Sequence, residues 1–155
     1  MMDELRASDI MTSPARCVEG DLPLTEAAEI MLDEAIGSLV VVDADGRAVG
    51  IVTDSDFASR EVSVPFSTFR APQLLGAWIG KEGVEQIYEE ARRRTVSEIM
   101  SAPVHSVEAD DRIRDVLDVM MERDIKHVPV LRGDEVVGMI ARHDLLKLLH
   151  RQMAG

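Results

Sequence analysis

The chain has 155 residues, 46% of them apolar, so it can bury a core without a disulfide or a metal, and its one cysteine, Cys17, can form no intrachain disulfide. The formal charge of −12 disfavours binding to nucleic acid, because an acidic surface repels a phosphate backbone. No signal peptide or membrane-spanning apolar run is visible, which predicts a soluble, cytoplasmic protein that does not contact a membrane.

Two similar units, residues 7–57 and 96–145, organise the chain. Both open with an Ile-Met pair, and their closing segments share a glycine, Gly50 in the first unit and Gly138 in the second. Matched positions are offset by 89 in the first part of each unit and by 88 from these glycines onward. We therefore place a one-residue deletion of the second unit in a turn between two strands.

Each unit is predicted to run strand, helix, strand, strand, helix. The first helix begins near an acidic residue, Asp21 or Asp110. Its apolar residues have the spacing of an amphipathic helix: Leu24, Ala27, Ala28 and Met31, and in the second unit Ile113, Val116, Leu117 and Met120. Two short apolar runs joined by a turn predict paired strands, and the last helix begins near Ser55 or His143. Because neither unit alone buries much surface, the two units should pack together.

A spacer, residues 61–94, separates the units and has no counterpart in the repeat. It contains four of the five aromatic residues of the chain, Phe66, Phe69, Trp78 and Tyr88. Its second part predicts an amphipathic helix with an apolar stripe at Val84, Ile87, Tyr88 and Ala91. Two interpretations stay open: a connector packed on the core, which we favour, or a cover for a ligand or a partner subunit.

The closing motif of the first unit, residues 50–56, lies at a strand-to-helix junction. The carboxylate of Asp56 can accept hydrogen bonds from both vicinal hydroxyls of a ribose. Thr53 and Asp56 also have the spacing of a capping box, which needs no ligand. The second unit keeps the carboxylate as Asp144 but has Ala141 in place of the hydroxyl, so no capping box is expected there, although an acidic residue near a helix start remains favourable.

Two basic side chains, Lys126 and His127, enter the apolar strand of the second unit. As solvated groups at a strand edge they need no function. As a site they supply a point charge and a titratable donor for phosphate oxygens. The first unit has Gly37 and Ser38 at these positions, so only one unit carries the cations.

The doubled pattern resembles the CBS domain in its I-M-T or I-M-S opening, its helix, its V-P-V strand and its closing G-h-h-T-x-x-D motif, where h is apolar. The resemblance covers both units, about two thirds of the chain. It implies an α+β (α/β-like) fold of two βαββα repeats, residues 1–60 and 95–155, that pack with pseudo-twofold symmetry. It also implies a homodimer and a regulatory ligand that contains adenosine (AMP, ADP, ATP or S-adenosylmethionine), with no required cofactor.

Carried over residue by residue, the resemblance implies two unequal clefts. The first cleft is expected to combine polar residues of both repeats, Thr53, Asp56, Lys126 and His127. Other residues are expected to line it or to lie at its rim: Ile51, Val52, Val128 and Pro129 along the wall, and Thr12 and Arg16 at the rim. The second cleft would use Asp144, with Arg142 and His143 compensating for the missing hydroxyl and cations.

Three functions stay open. The leading one is a nucleotide sensor without chemistry, in which the ligand shifts the packing of the repeats or of a dimer. The second is a ligand-free dimerisation or interaction module with vestigial clefts. A nucleotide-hydrolysing enzyme ranks last, because no nucleophile elbow, P-loop or metal-ligand cluster is visible. The chain ends within five residues of its last helix, so we expect any regulated target to be a separate protein.

Overall fold

The computed structural model describes residues 4–59 and 92–155. The first half contains α1 (Ala7–Ile10), β1 (Cys17–Glu19), α2 (Leu24–Asp33), β2 (Ser38–Val42), β3 (Ala48–Thr53) and α3 (Asp54–Ser59). The second half contains α4 (Val96–Ile99), β4 (Val107–Glu108), α5 (Ile113–Glu122), β5 (His127–Arg132), β6 (Glu135–Ala141) and α6 (Arg142–Ala154). The predicted order of elements is confirmed in both halves, and each is preceded by a short helix that was not predicted. The spacer helix and the four spacer aromatics lie outside the described residues.

Each half forms a three-stranded mixed sheet. In the first sheet β2 is parallel to β1 and antiparallel to β3, and β4, β5 and β6 repeat this arrangement. The hairpin turns contain Gly46 and Gly133, with φ angles of 81° and 64° that favour a residue without a Cβ. Five residues separate the paired Val42 and Ala48, one more than separate Leu131 and Val136. The one-residue deletion therefore lies in the hairpin turn, as predicted.

The two amphipathic helices begin later than expected. Asp21 and Asp110 lie in turns, and the N-cap residues are Pro23 and Arg112, whose backbone is extended. The apolar stripes nevertheless face the core as predicted, because their most buried members recur three and seven residues apart: Leu24, Ala27 and Met31 in α2, and Ile113, Val116 and Met120 in α5.

Each half places its opening segment in the core of the other half. Ala7, from the start of the chain, is fully buried in the core of the second half, and Val96 is fully buried in the core of the first. Backbone hydrogen bonds fix both crossings: Ala7 N–H donates to the carbonyl of Asp111 at 2.8 Å, and Val96 N–H donates to that of Leu22 at 2.9 Å. Neither core is complete without a segment from the other half.

The methionine of each opening segment packs on a glycine of the last strand of the other half. A Cβ added at Gly50 would lie 2.5 Å from Sδ of Met100 and 3.1 Å from the carbonyl oxygen of Ser101. A Cβ at Gly138 would overlap Sδ of Met11 in the same way. This close approach explains why both closing motifs begin with glycine.

Gly50→Ala is expected to lower the free energy of unfolding by about 1–2 kcal/mol, because the new methyl group must displace Met100 in a packed contact. Urea denaturation measures this loss. Combining Gly50→Ala with Met100→Ala should give a smaller total loss than the sum of the two single changes, since the shorter side chain leaves room for the methyl. Strictly additive losses would contradict the packing explanation. Val49→Ala, at an exposed position of the same strand, is the control.

Candidate ligand-binding clefts

Among the cavities between the halves, two lie at positions related by the repeat. The first cleft, of about 330 Å³, lies between the end of β3 and the segments that lead into β4 and β5. The second cleft, of about 180 Å³, lies between the end of β6 and the segments that lead into β1 and β2. Matched residues occupy matched places, so that Thr53 corresponds to Ala141 and His105 to Arg16. The two clefts can therefore be compared residue by residue.

The first cleft brings together three of the four polar residues predicted for it. Thr53, Lys126 and His127 all line the cavity. Asp56 does not line it: this residue is 9% exposed, and its Oδ2 accepts hydrogen bonds from the backbone N–H of Thr53 at 2.9 Å and from the Thr53 hydroxyl at 3.4 Å. Its other oxygen, Oδ1, has no hydrogen-bond partner in the part of the chain that the structure describes. Asp56 thus lies directly behind Thr53, and none of the described residues uses its Oδ1.

Of the apolar residues expected along this wall, only Ile51 lines the cavity. Val52, Val128 and Pro129 are fully buried instead. Side chains alternate across a strand, so Ile51 and Thr53 point to the cleft while Val52 between them points into the core. The same alternation in β5 places Val128 in the core next to His127.

Thr12 and Arg16 line the second cleft and not the first, contrary to the prediction. The reason is the crossing of the opening segments. The backbone N–H of Thr12 donates to the carbonyl of Met139 in β6 at 2.8 Å, whereas Ser101 pairs with Ile51 in β3. The residues missed in the first cleft are Ser55, Ser101, Pro103, His105, Asp124 and Ile125. The repeat could have revealed His105, because it is the counterpart of Arg16.

Arg142 lines neither cleft and pairs with Asp124 of the first one, contrary to its predicted place in the second. Its guanidinium is 3.3 Å from the carboxylate of Asp124, and both side chains are largely exposed, so the ion pair adds little stability. Asp124 has a left-handed backbone (φ 49°), a conformation that aspartate tolerates better than most residues. His143 is exposed and lines neither cleft. The second cleft therefore receives no compensating group from these two residues.

His127 forms a wall common to both clefts. Its Nδ1 is buried without a hydrogen-bond partner among the described residues. Burial lowers the pKa of His127 below its ordinary value; the carboxylate of Asp54 opposes this shift, Lys126 adds to it, and Asp144 opposes it. The unfolded chain thus binds the proton more readily, so this group makes the fold less stable as the pH falls below about 6.5. At neutral pH His127 offers one N–H donor and no charge.

In the second cleft both oxygens of Asp144 are already used. Oδ2 accepts the backbone N–H of Ala141 at 2.8 Å, and Oδ1 accepts the hydroxyl of Thr12 at 3.1 Å. The expectation that Ala141 prevents a cap at the start of α6 is therefore wrong. The carboxylate of Asp144 caps the helix by accepting the backbone N–H of Ala141, and this bond needs no hydroxyl. Near the cleft mouth Nε of Arg16 lies 3.0 Å from Oε2 of Glu34.

Two duplicated βαββα units that exchange their opening segments and enclose two matched clefts define a paired-repeat module. The family model of the CBS domain matches residues 7–63 and 96–151. The chain therefore belongs to the CBS-domain family, and the predicted tandem CBS pair is confirmed.

Three of the proteins that are similar to this chain match it over nearly its whole length. The crystal structure of the CBS domain of a CBS domain containing membrane protein from Sphaerobacter thermophilus is 36% identical, with a TM-score of 0.77, and the match covers 95% of this chain and 89% of that one. The uncharacterized protein MJ1404 of Methanocaldococcus jannaschii is 30% identical over 149 residues, 96% of this chain, which spans about a third (33%) of that relative. The CBS domain pair of protein MJ0100, solved with 5′-methylthioadenosine and S-adenosyl-L-methionine, shares the fold with a TM-score of 0.72 at 23% identity and covers 96% of this chain and 98% of that one.

None of the helices within residues 4–59 and 92–155 is both long and apolar enough to cross a membrane. The same ranges hold no cluster of three or more histidine, cysteine, aspartate or glutamate residues that could bind a metal ion.

Proposed function

We propose that the chain is a regulatory CBS pair that binds an adenosine-containing ligand between its repeats and catalyses no reaction. The observation that carries the proposal is the first cleft, where Thr53 of one repeat shares a cavity of about 330 Å³ with Lys126 and His127 of the other. A volume of this size is typical of small-molecule sites, which combine apolar walls with a few converging polar groups.

The proposed ligand contacts follow from the chemistry of the lining residues. The ribose hydroxyls bind at Thr53, which lines the cavity, and reach past it to Oδ1 of Asp56, because a carboxylate accepts from vicinal hydroxyls. The phosphates bind the ammonium of Lys126, with the imidazole of His127 as a neutral donor. The adenine packs on apolar side chains of both repeats, Ile51, Pro103 and Ile125.

Regulation follows from the fact that the site is divided between the repeats. A ligand that contacts Thr53 and Lys126 at once binds best to one relative position of the two repeats, and so it shifts the module toward that position. The ligands of the CBS pair of MJ0100, 5′-methylthioadenosine and S-adenosyl-L-methionine, support an adenosyl compound as the class of ligand. AMP, ADP, ATP and S-adenosylmethionine are the compounds to test.

A second candidate function, an interaction module, is favoured by exposed apolar side chains on three helices. Leu32 at the end of α2 and Met121 at the end of α5 are matched positions and are 80% and 77% exposed. On α6 the exposed Leu146, Leu149 and Met153 recur three and seven residues apart, which places them on one face. Such faces mark protein contacts, and we infer a homodimer that uses them.

A thermal-shift and calorimetry panel with AMP, ADP, ATP and S-adenosylmethionine tests ligand binding. Asp56→Asn is expected to weaken the binding of AMP about tenfold, because the amide keeps the acceptor for Thr53 N–H but loses the charge that attracts the ribose hydroxyls. Asp144→Asn, the matched change in the other repeat, should leave the affinity for AMP unchanged.

Each alternative function gives a different result in this panel. No response to any of the four compounds, together with a stable dimer in light scattering, would favour the interaction module. Steady turnover of ATP by the purified chain would overturn the non-catalytic role.

A further inference from the structure

We propose that the two clefts select different classes of adenosyl ligand. The first cleft takes a phosphate-bearing nucleotide, and the second takes an adenosyl compound whose tail is uncharged or cationic, such as a thioether or a sulfonium. Glu34 is the residue that excludes phosphate from the second cleft. The inference rests on the proposed function, since it assumes that adenosyl compounds bind between the repeats.

The cation of the second cleft is neutralised within the cleft itself. Arg16 and Glu34 both line the cavity, and their charged atoms lie 3.0 Å apart. The third charged group on this wall is the carboxylate of Asp144. A phosphate entering here would meet two carboxylates and a guanidinium that is already paired, whereas a sulfonium would be attracted to the carboxylates and a thioether would be indifferent to them.

The first cleft has the opposite arrangement of charge. Lys126 lines it and forms no ion pair with any residue in the described ranges. Among the described residues that line the cavity, the one carboxylate is that of Asp124, and it pairs with Arg142, which does not line the cavity. The repeat places Arg123 at the position of Glu34, so the acidic residue that pairs with Arg16 in one half has a basic counterpart in the other.

The nearest other cations do not change this balance. Lys147 and Arg151 lie beside Asp144 in an adjoining depression of about 200 Å³, which also contains the carboxylate of Asp9. Neither of these two cations lines the second cleft. The second cleft is also the smaller of the two, at about 180 Å³ against about 330 Å³, so a short thioether tail such as that of 5′-methylthioadenosine fits it best on size.

Isothermal titration with three probes tests the inference: AMP carries phosphate, 5′-methylthioadenosine is uncharged, and S-adenosylmethionine is cationic at sulfur. We expect one AMP site per chain, and AMP-saturated protein should still bind 5′-methylthioadenosine with unchanged affinity. Lys126→Ala should weaken the binding of AMP about tenfold without affecting that of 5′-methylthioadenosine.

Glu34→Gln should release Arg16 from its ion pair and create a second AMP site, while weakening the binding of S-adenosylmethionine severalfold. Glu29→Gln, an exposed change in α2, the helix for which Glu34 is the C-cap, is the control and should do neither.

The possible failures are distinguishable. Competition between AMP and 5′-methylthioadenosine for one site would overturn the division of ligands, and so would two AMP sites in the unmodified chain. An unchanged AMP stoichiometry in Glu34→Gln would overturn the role of Glu34. If none of the three probes binds, the inference fails, and if ADP and ATP do not bind either, the proposed function fails with it.

Discussion

Ile99→Ala is expected to lower the free energy of unfolding by about 3 kcal/mol, because it removes a fully buried side chain and leaves a cavity in a packed core. Ile99 is 1% exposed and belongs to the core of the first half, although it lies at the start of the second repeat in sequence. Chemical denaturation followed by circular dichroism measures the loss. A loss below about 1 kcal/mol would contradict the burial of this side chain.

The position of the effect is as informative as its size. Because Ile99 packs in the first half, native-state hydrogen exchange should show the larger loss of protection in β2 and β3, and a smaller loss in β5 and β6. The matched control is Ile10→Ala, whose half-buried side chain packs on the core of the second half. It should cost less stability and affect the opposite pair of strands. Losses confined to the repeat that carries each substitution would show that the opening segments do not cross.

The local architecture could be predicted because it depends on short-range patterns. The stripe at Leu24, Ala27 and Met31 has the helical period, and the offset between the repeats places the one-residue deletion in a hairpin turn. These features are fixed by neighbouring residues, and the structure confirms them. The beginning of α2 was less predictable, since an acidic residue such as Asp21 favours a tight turn as much as a helix start.

The composition of the clefts was harder to predict, because it depends on how the halves pack. Thr12 and Arg16 were assigned to the wrong cleft because nothing within one repeat shows that its opening segment crosses to the other half. The burial of Val52, by contrast, follows from the alternation of side chains in β3 and could have been predicted. The pairing of Arg142 with Asp124 could not have been predicted, because a left-handed backbone at the end of α5 positions Asp124.

Lys126→Glu is expected to weaken the binding of AMP about a hundredfold, a larger effect than truncation to alanine. The substitution removes a charge-assisted hydrogen bond worth about 1.5–3 kcal/mol and adds repulsion between the new carboxylate and the phosphate, and each 1.4 kcal/mol is about tenfold in affinity. Lys126 is exposed at the cleft, so the reversed charge can remain solvated and the fold should persist. Isothermal titration at low ionic strength measures the loss.

Arg132→Glu is the control that distinguishes direct contact with the phosphate from the electrostatic field of the whole protein. Arg132 lies at the other end of β5, is exposed and lines neither cleft, so its reversal gives the same net charge at a distance from the ligand. If Lys126 touches the phosphate, Arg132→Glu should weaken the binding of AMP only slightly. Added salt should abolish that small effect but reduce the effect of Lys126→Glu only in part, because salt screens distant exposed charges best. Equal losses of AMP affinity in the two variants would mean that AMP responds to the charge of the whole surface, and this result would contradict phosphate binding in the first cleft.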